Sequence, residues 1–490
     1  MYQPEALNTS DYLPWSRGRG LDVWAMLQAA HAGDVRKLQS LAARTPALLT
    51  CEFQYHTPLH FAVQENRFDA ASFLLRAGAL PKTGPGVPPT LPLAAARGYT
   101  AIVHLLENHL LQRFHICPQG DEVAALIRTR TLPEILSALQ SDSSLIHAAD
   151  HRGNQPIHWA VLTRQLPLID FLLQHGADIN HQRTDGAAPI HLTAGDYHFR
   201  AWREIPHAHT PSPRDLARLL IERGAYYDLS TAAWLNDLPR IRALLDADPA
   251  LVNQVPPYTA YHSGLALRSA ACAGHIDAVR LLLERGADPN IPEPIAPFGG
   301  ALREAVDTGS LELVQLLLDH GANPSSATES SGNALWAAKS SPEISALLAA
   351  RGATIPLDIA CYDGDLDLIA ASADPITEEA FFNALSEGHQ PAVELLLSRR
   401  PGLITVAPTG SAATPELAAW LLRRGADPNH RNWLGATQLH AAAARGHLEL
   451  ARTLLHHGAD PTLLNEDWAE LPSATAARHG HLQLAEFLAP

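Results

Sequence analysis

The stretch that decides the fold is Ala436-Thr437-Gln438-Leu439-His440-Ala441-Ala442-Ala443-Ala444-Arg445-Gly446-His447, running on to Leu454-Leu455-His456-His457-Gly458-Ala459-Asp460-Pro461. Gly446 supplies the positive φ that ends one short helix before the next begins. A second apolar run follows at helical period and stops at Gly458-Ala459. The stretch therefore reads as helix, tight turn, helix, loop.

The same marks recur along the chain. A Gly-Ala pair stands at Gly78, Gly176, Gly224, Gly286, Gly321, Gly352, Gly425 and Gly458, with spacings of 98, 48, 62, 35, 31, 73 and 33 residues. Single, double and triple multiples of about 33 residues account for most of these. The 48 is one unit with an insertion, and the 73 hides units without the mark. Before each pair lies an apolar run such as Ala278 to Leu283. Before that comes Gly-His or an equivalent, as at Gly274-His275 and Gly388-His389. Helix openers such as Thr57-Pro58-Leu59-His60 come earlier still. There a threonine can cap the helix and proline suits its first turn.

One such pair cannot bury its apolar faces alone, and stacked pairs make a continuous thin core. At these residues the chain resembles the ankyrin repeat family. The resemblance implies an all-α solenoid of about fifteen helix-turn-helix units with loop fingers. The organisation expected is a tail over residues 1–20 and a repeat array over 21–490. The segment from Ser473 to Pro490 reads as a C-terminal cap. An irregular linker is expected near 109–119. An insertion at 197–213 separates the two helices of one unit, and is expected over the concave side and mobile without a partner.

The 490 residues are 46% apolar and 18% charged, enough for a packed core. Net charge is −15, which disfavours nucleic acid, because phosphate binding needs clustered Lys and Arg. Lys37, Lys82 and Lys339 are the only lysines, a bias that GC-rich coding explains. Cys51, Cys117, Cys272 and Cys361 form no CxxC pair, so neither a disulfide framework nor a zinc ribbon is expected. No secretory signal and no apolar run of about 18 residues is visible. The expectation is a monomeric cytoplasmic protein that binds no membrane.

The 26 histidines invite a metal reading. Most belong to the repeat. His60, His158, His191 and His440 fill the slot of the TPLH motif, where the resemblance implies hydrogen bonds between loops. His175, His320 and His457 precede a helix-ending glycine, where a cation suits the dipole. His198, His207 and His209 in the insertion, flanked by Asp196 and Asp215, are the exception. Their spacing is weak and no HExxH follows, so neither metal nor cofactor is expected. No GxSxG, P-loop or placed GxGxxG appears, and an enzyme is not the expectation. The alternative is a metal or acid–base site beside the insertion.

The resemblance implies protein binding by the concave groove, as scaffold or adaptor. Between residues 255 and 340 the loop tips carry Tyr258, Tyr261 and Phe298, large residues at positions that need not be large. The histidine slot there holds Arg268, Arg303 and Trp336, types enriched in binding hot spots. These six are the candidate partner-binding residues. The bland reading is that each arginine pairs with a nearby carboxylate such as Glu304.

Overall fold

The computed structural model describes residues 3–13, 16–81, 87, 89–195, 211–256, 258, 264–291, 300–328 and 332–489. It is an all-α array of antiparallel helix pairs. Among the described residues, the one strand pair is Ala327–Thr328 with Gly332–Asn333. The chain divides into two compact units. One holds residues 11–353 and the other holds 1–10 with 354–490.

The Gly-Ala mark has a direct structural cause. At Gly286, after helix Ile276–Glu284, the chain turns into the left-handed region with φ 89°. The next N–H, that of Ala287, then reaches back to the carbonyl of Leu282 at 2.9 Å. This is the C-terminal stop that a left-handed glycine permits. The same bond joins Ala79 to Leu74, Ala322 to Leu317 and Ala459 to Leu454. The alanines are buried, so the position takes a small side chain.

Units without the mark end differently. Helices Val35–Arg44, Leu132–Ser141, Leu238–Ala247 and Gln390–Arg399 each pass through one extended residue into a 3-10 turn. Those turns are Pro46–Thr50, Ser143–Ile146, Pro249–Asn253 and Pro401–Val406. Each plugs the core with one buried aliphatic residue, namely Leu48, Ile146, Val252 and Leu403. The Gly-Ala stop is replaced there, not lost.

Asparagines tie successive units together. Asn290 donates to the carbonyl of Gly321 at 2.8 Å and accepts from the N–H of Asn323 at 2.7 Å. Asn253 makes the same two bonds to Gly286 and Asp288, and Asn429 to Gly458 and Asp460. Each clamp satisfies a carbonyl that the end of a helix leaves free. Ser325 stands where this pattern would place an asparagine, and a serine has no amide with which to make both bonds.

Two expectations need correction. Residues 109–114 are not a loop but the last turns of helix Thr100–Phe114, which turns at His115. Leu106, Leu110 and Phe114 recur every four residues and are buried, so the helix keeps one apolar face to its end. Residues 3–10 are not a free tail, because Glu5–Leu7 form a 3-10 turn and Leu7 is 0% exposed. The array's first helix begins at Gly20. The insertion lies outside the described residues except for its end, where Ser212 caps helix Pro213–Glu222.

Candidate functional site

The TPLH slot is the third residue after a first helix's N-cap, and its imidazole does two jobs. The Nδ1 atoms of His158, His191 and His440 accept the N–H of their own N-caps, Gln155, Ala188 and Thr437, at 3.0–3.2 Å. In His440 the other nitrogen faces the carbonyl of Glu470 in the next unit at 3.0 Å, and in His158 that of Ala187 at 3.4 Å. Both bonds need a neutral ring with its proton on Nε2. Burial accordingly brings His158 down to about 3, helped by the nearby His181 and Arg183. In His175, His320 and His457, Nδ1 instead meets the carbonyl four residues back at 2.7–2.9 Å.

Arg268, Arg303 and Trp336 occupy this slot by the same count. Their N-caps are Leu265, Gly300 and Asn333. None of the three side chains can accept the N-cap N–H, so each substitution forgoes that bond. Arg268 is 1% exposed and is not presented on a free groove wall. Its Nη2 lies 2.7 Å from Glu304 Oε1 in the next unit. Arg303 is half-buried and its Nη1 is ion-paired with Asp307 one turn on, while its Nε is buried without a hydrogen-bond acceptor. Trp336 is half-buried, its ring lies against Gly332, and the Lys339 ammonium stands 5.1 Å from the ring centre. The row thus holds one buried pair and two partly open side chains.

Tyr258 is also buried. Its ring stacks on His191 with centroids 3.9 Å apart, and its hydroxyl donates to Asp228. Burial, then the Asp228 charge, pushes the phenol well above its usual range. Burial would raise Asp228 too, but His191, Tyr258 and Thr231 outweigh it and hold the carboxyl low. Beside this trio opens a cavity of about 440 Å³, walled also by Tyr226, Gln254 and Pro256. That volume is in the range of ligand pockets. Tyr226 is 59% exposed at its mouth. Next to it Arg183 is fully buried and holds Asp185 with two bonds of 2.8 and 2.9 Å. Burial alone would raise the Asp185 carboxyl, and the Arg183 charge reverses that.

Tyr261 and Phe298 lie outside the described residues, as do Asp196, His198, His207 and His209. Asp215 is bonded to Ser212, the cap of its own helix. Cys272 and Cys361 are pushed up by burial to about 11 and about 12, so neither is a thiolate near neutrality. Sequence reading missed the Asn clamps: Asn290 and Asn429 stand two residues beyond Gly-Ala-Asp, but Asn253 closes a turn without that mark. It also missed the His191–Asp228–Tyr258 trio, because its members come from three units.

Models of the ankyrin repeat match residues 54–82 and 152–181, and a three-copy ankyrin model matches 267–359 and 403–490. The chain is an ankyrin-repeat protein. The ankyrin match from 267 to 359 contains Arg268, Arg303 and Trp336, so their slot sits in recognised repeats. Among curated proteins, the chain is similar to the nuclear factor NF-kappa-B p105 subunit of Gallus gallus, 33% identical over 150 residues. That is 29% of this chain and 15% of the relative. Human inversin is 28% identical over 173 residues, 34% of this chain and 16% of inversin. Human protein phosphatase 1 regulatory subunit 27 is 32% identical over 102 residues, 19% of this chain and 66% of that protein. The ankyrin array thus spans about a sixth of the first and second of these. Ankyrin repeats and these relatives support a protein-interaction role. Among the described residues, no helix is long and apolar enough to cross a membrane.

Proposed function

We propose that the protein is an adaptor or scaffold that binds a partner protein through the first helices and loop fingers of residues 255–340. The observation that carries this reading is the loss of the slot histidine at Arg303 and Trp336. Each gives up the N-cap bond that His158, His191 and His440 make, and each leaves part of its side chain open. Arg and Trp are side-chain types enriched in binding hot spots. Tyr258 and Arg268 hold the surface in place from within, and Tyr261 and Phe298 are proposed to flank it. Two relatives are named as subunits, p105 and the phosphatase regulator, which fits a chain that works on other proteins. The reading is of a cytoplasmic monomer, with its net charge of −15 turned away from nucleic acids.

The test is capture of the partner from extract of the native cell. Arg303→Ala and Trp336→Ala should each weaken binding by about 1–3 kcal/mol. The melting temperature should stay within a few degrees. Normal capture by both variants would move the centre elsewhere, and early unfolding of both would make the residues structural.

A further inference from the structure

The unit built from residues 354–490 already has a peptide seated on it, the chain's own first residues. Gln3 to Asn8 fold into a compact turn. Leu7 N–H bonds to the carbonyl of Pro4 at 3.0 Å, Asn8 N–H to that of Glu5 at 2.9 Å, and the Gln3 amide to that of Leu7 at 3.0 Å. The turn presents two side chains in a fixed relation. Leu7 has no exposure, and residues 1–10 pack as part of this unit. Glu5 meets two complementary groups. Its Oε2 accepts the N–H of Glu378 at 2.9 Å, the first residue of helix Glu378–Ser386. Its Oε1 lies 3.0 Å from Arg400 Nη1. Arg400 is oriented for this by donating to the carbonyl of Ile376 at 2.6 Å.

We infer that the surface formed by Ile376, Glu378 and Arg400 is a docking site for short Glu-x-Leu segments of other proteins, held in the free protein by residues 3–8. The chemistry is selective in two ways. A carboxylate is needed to satisfy at once a helix-terminal N–H and a guanidinium, both of which favour negative charge. An aliphatic side chain two residues later is needed to take the place of Leu7. The Glu5–Arg400 pair is partly exposed, so it orients the segment, and the buried leucine supplies most of the hold. A tethered segment competes at an effective concentration in the millimolar range. The site is therefore closed to weak ligands and opens to segments that bind better than the chain's own. It uses none of the residues of the 255–340 surface, and its test does not depend on that reading.

The experiment uses the full-length chain. In a Glu5→Lys, Leu7→Asp double variant the intramolecular segment is disabled. A fluorescent peptide of residues 3–10 should bind this variant at least tenfold more tightly than the unmodified protein, by anisotropy. Adding Arg400→Glu should remove the binding, and a peptide carrying Glu5→Lys should restore it. A peptide retaining only the glutamate and leucine, with alanine elsewhere, should compete, and one with Leu7→Asp should not. Equal binding to the variant and the unmodified protein would overturn the inference. So would competition by the native peptide alone, which would make the segment a private clasp. Hydrogen exchange of the Leu7 and Asn8 amides in the unmodified protein gives a readout free of mutation. Fast exchange at both would show that the segment is not docked.

Discussion

The Arg268 guanidinium and the Glu304 carboxylate, from the first helices of neighbouring repeats, meet at 2.7 Å and are both buried. They occupy the level at which other repeats are joined by histidine. Removing one partner strands a buried charge, which costs about 3–5 kcal/mol, whereas apolar replacement of both is often nearly neutral. Arg268→Ala and Glu304→Ala should each lower the melting temperature clearly. Arg268→Met with Glu304→Leu should recover most of it. Additive loss in the double variant would mean that the two side chains act separately.

Acid should weaken the repeats around His158. The group's usual value is 6.5 and burial holds it at about 3 in the folded chain. Between those values the unfolded state binds more protons, so stability falls as pH falls. By pH 5 the loss is about 2 kcal/mol at 1.36 kcal/mol per unit. His158→Gln should start less stable at pH 7.5 but lose less on going to pH 5. A parallel pH dependence in the two proteins would remove His158 from the account. Asp185 acts the same way at lower pH, because its depressed carboxyl loses its contribution only below the usual carboxylate range.

Gly120 shows where a single methyl group cannot fit. A Cβ there would fall 1.9 Å from the carbonyl oxygen of Ala149. Helix Pro118–Arg128 would have to move off the backbone strand it abuts, which also carries the bond from Cys117 N–H to Ala149 O. Gly120→Ala should therefore destabilise by more than the ~1 kcal/mol typical of point substitutions. Exchange of the Cys117 amide should accelerate. A neutral effect on melting would show that this contact relaxes freely.

The Asn clamps should be measurable one joint at a time. Asn290→Ala removes two bonds across one junction, each worth about 0.5–1.5 kcal/mol net and less where exposed. The Asn323 amide should exchange faster while amides beyond residue 354 stay unchanged. Uniform acceleration along the array would mean that the clamp serves global stability and not its own junction.

The repeat was legible because its marks are local. A left-handed glycine, the alanine after it and a capping residue leave their signature within a few positions. The slot count was legible too, and it located Arg268 and Trp336 correctly. The state of the Arg268 head was not, since it depends on a carboxylate 36 residues away. Glu5 lies 395 residues from Arg400, so nothing near residue 5 announces that the segment is held. The 3-10 endings carry letters of their own, Pro-x-Leu-aliphatic-Thr in both Pro46–Thr50 and Pro401–Val406, which a reading keyed on Gly-Ala passes over.

Ser325 stands in the clamp position, as Asp228 does after Gly224, and the first helix that follows Ser325, Ala334–Ala337, is the shortest α-helix among the described residues at four residues. A linear array comes apart at its weakest joint, not at its average strength, because each repeat answers only to its neighbours. Pulled from its ends or frayed by heat, the 11–353 unit should part between residues 323 and 337. The repeats from Leu229 to Ala322, which carry Arg268 and Arg303, would then stay folded as a surviving fragment.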